Sequence, residues 1–554
     1  MTVSALFNES PTVRPRNGGW RLLLGAALAL ATMMGCRRGK PEPLPSGDPG
    51  RPDIVLISID TLRADHLQSY GHHRKTSPWF DQLAADGTRF AFARSSSPWT
   101  LPSHTTMLSG QLPKTHMVVE DKHVLPKSTP VLPEMLQTAG YKTGGFVATL
   151  YVSRMFNFDR GFDHFSDFDI QSEKENLRGE VLAEHVVDSA LRWWSEQPAG
   201  QPVFLFLHSY DVHYEYDPPG DYGTLFDRAP QKSDRKYKNY HHFKKHKVSE
   251  EQFEHQRAQY DEAIRYVDDQ FKKISDAAKA AGRSVRFVIT ADHGEEFGER
   301  GSWGHAHTLY AEQLHIPLIV SGGGIPKGVV DGAVGSQDIA PTIAGWVDGT
   351  PDFGTLDGID LADVMAGAEA PKRGFSAETT RFKTNRLGYY ADGLRLEWDL
   401  KADRAELFDP HADPKEATDL AAARPEDVLK LQTALAAELG TPWKATSAGR
   451  IETKGRILKD GKRLKALNVK LGEEFLVLPY DANVFMTVDG TRFGPWKAVG
   501  GDRPGAGCPL AYAGGGATGS VSMDDSDLAL LETLGYITED EGNDSEPAGA
   551  PCGQ

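Results

Sequence analysis

The sequence predicts an α/β protein built on a doubly wound, mostly parallel central sheet with helices on both faces, followed by a smaller C-terminal α+β subdomain. Short apolar runs recur along the first 320 residues, at Ile54–Ile59, Gly145–Ala148, Val203–Leu207, Val285–Ile289 and Ile316–Val320. Such runs are typical of strands buried on both faces of a parallel sheet. Stretches with helical spacing separate them, and this alternation is the pattern of strands joined by crossover helices.

Three intervening segments carry the helical periodicity. They cover residues 129–140, 181–196 and about 250–282. In the longest one, Tyr260, Ile264 and Val267 begin an apolar series at helical spacing, and Gly282 is placed to end the helix.

The N-terminus carries a targeting signal. Arg14, Arg16 and Arg21 precede the apolar run Leu22–Met34, and Gly35-Cys36 follows it. A charged region, a short apolar region and a small residue before cysteine resemble a bacterial lipoprotein signal, with a plain secretory signal or an uncleaved anchor as the alternatives. The sequence therefore predicts export, lipidation of Cys36, anchoring to a membrane through that residue, and a periplasmic or outer-membrane location.

The composition divides the rest of the chain. Residues 1–36 form the predicted signal and 37–52 a Pro- and Gly-rich tether. We assign 53–365 to the α/β catalytic domain, 366–445 to a C-terminal subdomain, 446–515 to a β-rich insertion, and 516–554 to a closing helix with a disordered acidic tail. The basic segment 232–247 is predicted to be a surface loop, either simply solvated or a cationic rim that attracts an anionic substrate.

The net charge of the chain limits the classes of molecule that it can bind. The chain has 554 residues and a formal net charge of −16, which argues against a nucleic-acid partner. An acidic protein that acts on anionic esters needs local positive charge, and a bound metal ion is the most plausible source. Cys508 and Cys552, which remain after Cys36, could form one disulfide, although their spacing does not establish the pairing.

Three separate clusters carry residues suited to metal chemistry. Asp60 follows the first apolar run, Asp292-His293 follows the run that begins at Val285, and Thr100 lies at the predicted start of a helix whose first residue would be Pro102. Two carboxylates, an imidazole and a hydroxyl suit a hard or borderline divalent cation such as Zn, Mn, Mg or Ca. Such a cation would lower the pKa of the Thr100 hydroxyl and polarise the oxygens of an ester.

From about Pro52 to about Leu439 the chain resembles the sulfatase family of the alkaline phosphatase superfamily. The matching segments, in chain order, are Ile57–Asp65, Ser95–Gly110, Thr129–Tyr141, Gly161–Phe165, Phe206–His213, Tyr260–Ile264, Asp292–Glu295, Gly304-His305, Gln337–Thr342, Leu407–Pro410 and Leu531–Tyr536. The resemblance implies an alkaline-phosphatase-like fold.

The resemblance also implies roles for individual residues. Asp60, Asp292 and His293 would ligate the metal, and Thr100 would be both nucleophile and ligand. His213 matches the histidine that contacts the transferring group or the leaving oxygen.

Other histidines have less specific implied roles. His305 resembles the histidine that helps to hold the phosphoryl group in phosphoethanolamine transferases. A second metal would use His305 or His307. His104 replaces an arginine of the family and would either hydrogen-bond near the nucleophile or serve the structure.

The nucleophile motif departs from the sulfatase pattern. Sulfatases usually carry Cys or Ser, any residue, Pro, Ser and Arg, and the first residue becomes formylglycine, whereas this chain has Thr100-Leu101-Pro102-Ser103-His104. Threonine cannot yield formylglycine, so none is expected. The Gly-Lys pair of the second signature is absent, and the usual Asp-Asp pair is Asp60-Thr61. A threonine nucleophile at a helix start also occurs in nucleotide pyrophosphatase/phosphodiesterases of the same superfamily.

The predicted activity is therefore metal-assisted, two-step transfer of an anionic ester, with phosphoesters favoured over sulfate esters and with water or an alcohol as acceptor. The substrate would be a small-molecule, glycan or lipid ester. One alternative is a sulfuric ester hydrolase that uses unmodified threonine. The other is a catalytically degenerate, lipid-anchored binding protein.

Overall fold

The computed structural model describes residues 43–168, 181–227, 248–459, 462–478, 483–496, 508–512 and 521–522. All of them belong to the compact unit Pro43–Gln554. The predicted signal 1–36, the basic segment 232–247 and the closing helix with its acidic tail lie outside the described residues, apart from the two residues at 521–522.

A nine-stranded sheet forms the centre of the described structure, in the order β10-β2-β11-β7-β1-β6-β4-β5, with β12 paired to β2. Its strands are β1 Asp53–Ile59, β2 Thr88–Arg94, β4 Lys142–Val147, β5 His164–Ser166, β6 Val203–Ser209, β7 Val285–Ala291, β10 His315–Ile316, β11 Leu318–Gly322 and β12 Gly328–Gly335. All seven residues of β1 are buried, and β1 pairs in parallel with β6 on one side and β7 on the other. The mostly parallel sheet predicted from the buried runs is confirmed.

The last predicted run, Ile316–Val320, forms two strands. Pro317 separates β10 from β11, since proline has no N–H to give to a strand ladder. Strands β10 and β11 run antiparallel to β2, and β11 also runs antiparallel to β7, whereas the other pairs of the central sheet are parallel.

Each of the three predicted segments, 129–140, 181–196 and about 250–282, contains a helix, and further helices lie before and after them. The helices are α1 Pro78–Asp86, α2 Thr100–Ser109, α3 Pro113–His116, α4 Leu132–Thr138, α5 Ala183–Ser195, α6 Glu250–Ala280, α7 Ala311–Leu314, α8 Ile339–Gly345, α9 Ala362–Met365 and α10 Pro425–Leu439. Ser249 caps the start of α6, and its hydroxyl accepts a hydrogen bond from the Gln252 N–H. Gly282 follows the end of the helix with φ +66°. Short 3-10 helices lie at Ala64–His66, Gln68–Tyr70, Leu150–Val152, Arg154–Phe156, Gly220–Thr224, Ser336–Asp338 and Arg381–Lys383.

Helix α2 starts earlier than predicted. Its first residue is Thr100, not Pro102, because Trp99 is the extended residue that precedes the helix. Pro102 then occupies the third helical position, where its missing N–H costs nothing because the first-turn N–H groups have no intrahelical partner. This correction brings Thr100 itself into the first turn.

Two antiparallel sheets follow the central one. A four-stranded sheet contains β13 Phe375–Thr379, β14 Arg386–Ala391, β15 Leu394–Asp399 and β16 Arg404–Phe408, and α10 packs against it. A seven-stranded sheet contains β17 Thr441–Ala445, β18 Gly449–Lys459, β19 Lys462–Val469, β20 Glu474–Leu478, β21 Val484–Val488, β22 Thr491–Trp496 and β23 Leu510–Tyr512. The second of these sheets starts at Thr441, inside the range 366–445 that we assign to the C-terminal subdomain.

The small pairings complete the described structure. Strand β3 His123–Val124 pairs with β24 Val521–Ser522, and β8 Glu296–Phe297 pairs with β9 Trp303–Gly304. Cys508 is disulfide-bonded, and the two other cysteines lie outside the described residues. Within the described part of the chain, we find no helix with the length and apolarity that a membrane crossing requires.

Candidate active site

The carboxyl ends of β1 and β7 bring Asp60, Asp292 and His293 together. Asp60 directly follows β1, and its backbone N–H donates to the Ser209 carbonyl at the end of β6. One ligand atom from each of the three side chains lies within 4.8 Å of the others. His293 Nε2 is 3.2 Å from Asp292 Oδ2 and 3.7 Å from Asp60 Oδ1. Neighbouring parallel strands end at the same sheet edge, which explains how residues more than 200 positions apart meet.

Thr100 faces this cluster from α2. Its Oγ1 lies 3.5 Å from His293 Nε2, and the residue is 5 % exposed. As the first residue of a ten-residue helix, it stands where unpaired N–H groups and the helix dipole favour negative charge. The hydroxyl, the imidazole and the two carboxylates therefore converge as the sequence predicts.

Asp292 Oδ1 accepts hydrogen bonds from the backbone N–H groups of Thr61 and His293, but the other carboxylate oxygens of this cluster accept none within the described part of the chain. Among the described residues, both oxygens of Asp60 and Oδ2 of Asp292 are buried without a hydrogen bond. Buried carboxylates are almost always paired or bound to a cation, because leaving them bare is costly. The donor set, two carboxylates and one imidazole, therefore fits a divalent cation.

The titration of the cluster reflects the same crowding. Burial, reinforced by the charge of Asp292, raises the pKa of Asp60 well above its usual value. Although burial opposes it, the charges of Asp292 and Asp60 raise the pKa of His293 to about 9. Burial also opposes ionisation of Asp292, but the charge of His293 and its hydrogen bond lower the pKa of Asp292 below its usual value. A proton on His293 thus supplies positive charge that a bound cation would replace.

His213 and His305 line one side of the cluster. The ring centroid of His305 is 4.4 Å from that of His293 and 5.0 Å from that of His213. His213 Nδ1 is 2.6 Å from the Tyr214 carbonyl oxygen, so it donates there and leaves Nε2 as an acceptor in the neutral ring. Desolvation, with His305 next to it, lowers the pKa of His213 to about 3. Desolvation and His293 also lower the pKa of His305 well below its usual value.

Glu295 joins the site without a role predicted from sequence. Its Oε1 accepts from His305 Nδ1 at 2.8 Å, and its Oε2 accepts from the Tyr216 hydroxyl at 3.0 Å. Glu295 therefore orients the His305 ring. Its place directly after Asp292-His293-Gly294 was the available signal, because a chain that leaves a strand end stays near it for several residues.

His307 takes other partners. Its Nε2 is 3.1 Å from Glu296 Oε2 and its Nδ1 is 2.9 Å from the His305 carbonyl oxygen. A second group of possible ligands, His66, His72 and Asp261, lies elsewhere, and the Arg74 guanidinium already donates to Asp261 Oδ2 at 2.8 Å. Among the described residues, His307 belongs to neither group of possible metal ligands.

His104 is buried next to Thr100. Its Nδ1 is 2.9 Å from the Thr100 carbonyl oxygen, and its Nε2 is 2.9 Å from Ser58 Oγ. Burial lowers its pKa to about 3, so the neutral ring donates a hydrogen bond from Nδ1 and accepts one from the Ser58 hydroxyl at Nε2. His104 thus ties the backbone of Thr100 to β1.

Thr61, which stands in place of the second acid of the Asp-Asp pair, is held by three hydrogen bonds. It adopts a left-handed conformation with φ +57°, which is unusual for a β-branched residue. Its hydroxyl donates to the Val212 carbonyl at 3.0 Å, and its own carbonyl accepts from the Tyr260 hydroxyl at 2.7 Å. The side chain is therefore engaged with the loop after β6, while the Thr61 N–H donates to Asp292 Oδ1.

Comparisons with known proteins agree with this architecture. The sequence model of the Sulfatase family matches residues 52–350. The low-salt glycan biosynthesis sulfotransferase Agl7 of Haloferax volcanii is 27% identical over 323 residues, which are 57% of this chain and 65% of that protein. The choline-sulfatase of Rhizobium meliloti is 22% identical over 439 residues, 67% of this chain and 83% of the relative.

Solved structures share the fold. The phosphonate monoester hydrolase of Silicibacter pomeroyi superimposes with a TM-score of 0.58 at 23% identity, over 70% of this chain and 95% of that one. A protein solved in complex with its substrate D-glucosamine-2-N,6-O-disulfate superimposes with the same TM-score at 16% identity, over 70% of this chain and 97% of the other.

Proposed function

Because the chain belongs to the sulfatase family, we propose that it is an enzyme that cleaves or transfers an anionic ester through Thr100, with phosphoesters favoured over sulfate esters. The observation that carries the proposal is the position of the Thr100 hydroxyl, 3.5 Å from His293 Nε2 at the start of α2. His293 in turn lies beside Asp60 and Asp292, which are buried and have three carboxylate oxygens without a hydrogen bond among the described residues. An oxygen nucleophile for an anionic ester needs such a setting.

The identity of the nucleophile favours phosphate. A sulfated formylglycine is released by hemiacetal elimination, and threonine offers no such route. A phosphothreonine, by contrast, can be resolved by direct attack of an acceptor on phosphorus. The sulfatases and the sulfotransferase among the relatives keep sulfate esters in the test below.

Asp60, Asp292, His293 and Thr100 are the residues that would hold a divalent cation. When bound, the cation would lower the pKa of the Thr100 hydroxyl and offset charge on the ester oxygens. The carboxylate oxygens without hydrogen bonds are the structural reason for assigning it here.

The proposed reaction balances in two half-reactions. In the first, Thr100 Oγ bonds to phosphorus, the P–O bond to the substrate alcohol breaks, Thr100 gives up its hydroxyl proton and the departing alcohol gains one. In the second, water or another alcohol bonds to phosphorus and loses a proton, while the bond to Thr100 breaks and its hydroxyl is restored. Hydrolase and transferase differ only in the acceptor of this second step.

His213 and His305 serve these steps from one side. The neutral His213 ring keeps Nε2 as an acceptor, because Nδ1 donates to the Tyr214 carbonyl. Glu295 holds His305 in a fixed orientation through its hydrogen bond to Nδ1, so that the two neutral rings can contact the transferring group.

The test compares wild-type protein with Thr100→Ala and Thr100→Ser on phosphate monoesters, phosphate diesters and sulfate monoesters, with several divalent metals. We expect turnover of a phosphoester that falls at least about 10³-fold in Thr100→Ala and is largely retained in Thr100→Ser, which keeps the hydroxyl. Acid-stable labelling of Thr100 by ³²P from a labelled substrate would support the covalent intermediate. Full turnover by Thr100→Ala would refute the proposal.

Other outcomes point to the alternatives. Turnover of sulfate esters alone would support a sulfuric ester hydrolase with unmodified threonine. Tight stoichiometric metal binding without any turnover would support a degenerate binding protein. Metal content is measured separately on Asp292→Asn, which we expect to lose the cation.

We further propose that the protein is an exported lipoprotein held at a membrane by lipidated Cys36. The charged and apolar segments before Gly35-Cys36 support this proposal. Radiolabelled palmitate should label the wild-type protein and not Cys36→Ala. Equal labelling of the two would contradict it.

A further inference from the structure

We propose that His208 is a positioning residue of the cation centre, which donates a hydrogen bond from Nε2 to Asp60 Oδ2 and so keeps Asp60 Oδ1 turned towards Asp292 and His293. The inference rests on the metal-dependent function proposed above. His208 lies within a segment that resembles the sulfatase family, directly after the apolar run Val203–Leu207. Neither its residue type nor this position indicates the proposed role.

His208 is buried in the middle of the molecule without an explained partner. It lies on β6, directly beside Ser58 of β1 in the parallel register, and none of its surface is exposed. Neither ring nitrogen has a hydrogen bond among the described residues. A buried imidazole without a partner is rare in native proteins and calls for a functional explanation.

Asp60 is the matching group. His208 Nε2 is 3.5 Å from Asp60 Oδ2, and that oxygen also lacks a hydrogen bond within the described structure. One donor and one acceptor, both buried and both unsatisfied, thus face each other at slightly more than hydrogen-bond distance.

Asp60 consequently lies between two imidazoles with different tasks. On the Oδ1 side, His293 Nε2 is 3.7 Å away and belongs to the group that could hold the cation. On the Oδ2 side stands His208, which is not a member of that group. Carboxylates that ligate metals are commonly oriented through their second oxygen, and loss of such a partner typically weakens metal binding 10–100-fold.

The surroundings hold the His208 ring in place. His104 packs edge-on against it, with ring centroids 5.0 Å apart. His104 is itself anchored by Ser58 and by the Thr100 carbonyl. The pair therefore connects the orientation of Asp60 to that of the nucleophile through two buried rings.

Mn²⁺ affinity, measured by titration calorimetry on the full chain, tests the proposal. The variants are His208→Gln and His208→Asn, because a glutamine amide ends near the position of Nε2 whereas an asparagine amide ends near that of Nδ1. We expect His208→Asn to bind Mn²⁺ about 10–100-fold more weakly than wild type, and His208→Gln to recover most of that loss. Both variants bury an amide, so a purely structural role would affect them alike.

His315→Leu is the control for replacing a half-buried histidine away from the site. Its ring bonds to the Ala91 carbonyl at 2.8 Å on β10, at the far edge of the sheet, and the variant should bind Mn²⁺ like wild type. Equal Mn²⁺ affinity of His208→Asn, His208→Gln and wild type would overturn the role of His208 and leave the proposed function intact. Absence of Mn²⁺ binding by the wild-type protein would overturn both.

Discussion

Raising the pH of the metal-free protein should destabilise it, and Asp292→Asn should remove much of that effect. The reason is the proton on His293, which the neighbouring carboxylates stabilise in the folded state. In metal-free protein the pKa of His293 is raised from 6.5 to about 9. A histidine with a raised folded-state pKa contributes stability that is fully present below pH 6.5 and is lost as the pH rises through about 9.

The magnitude follows from the shift. A rise from 6.5 to about 9 is about 2.5 units, and at 1.36 kcal/mol per unit this amounts to about 3 kcal/mol. Asp292 is the largest of the groups that raise this pKa, since its Oδ2 lies 3.2 Å from His293 Nε2. Neutralising it should therefore remove about half of the pH dependence or more. Asp60 adds to this loss of stability at high pH. Its pKa is raised in the folded state, so the free energy of unfolding of the protein falls as Asp60 ionises.

Urea denaturation in the presence of a chelator measures the effect. The free energy of unfolding is determined at pH 6.5 and pH 9.5 for wild-type protein and for Asp292→Asn. We expect the wild-type value to fall by about 3 kcal/mol between these two pH values and that of Asp292→Asn to fall by about half of this or less. Mn²⁺ should restore stability chiefly at high pH. Equal pH dependence in the two proteins would refute the reasoning, because it would show that Asp292 does not hold the proton on His293.

Two further substitutions test separate parts of the structure. Glu295→Gln should lower kcat about 10–100-fold, because Glu295 orients His305. Its Mn²⁺ affinity should stay unchanged, because Glu295 is not among the candidate metal ligands. Steady-state kinetics and calorimetry measure the two quantities, and an unchanged kcat would contradict the prediction. Asp53→Ala should destabilise the protein by about 3–5 kcal/mol in urea denaturation, because it leaves the buried Arg283 guanidinium without its carboxylate partner, whose oxygens lie 2.6 Å and 2.7 Å away. A loss below about 1 kcal/mol would show that the hydrogen bonds from Arg283 to the Pro45, Ser46 and Gln201 carbonyls compensate for the lost carboxylate.

The prediction of the fold succeeded where the pattern is local. A strand buried on both faces needs an unbroken apolar run, and β1, β6 and β7 have one each. Helix α6 needs a polar cap and a periodic apolar face, and both are visible in the sequence. The start of α2 was predicted two residues late, because proline marks a first turn without specifying which of its positions it occupies.

The structure brings the candidate residues at the strand ends together. Asp60, Asp292 and His293 meet because parallel strands end at one edge of the sheet. Glu295 and His208 received no predicted role, because their partners, His305 and Asp60, are identified only by distances in the folded chain.

The sequence by itself therefore determined which strands are buried, which polar residues follow them, and that the residue at the nucleophile position is threonine. These properties depend on residue type and on short-range periodicity. Only the tertiary structure decided that the Thr61 hydroxyl is engaged by the Val212 carbonyl, that His307 pairs with Glu296, and that His208 faces Asp60. Each of these contacts depends on how a strand or loop is oriented against a neighbour, and sequence spacing carries no information about that orientation.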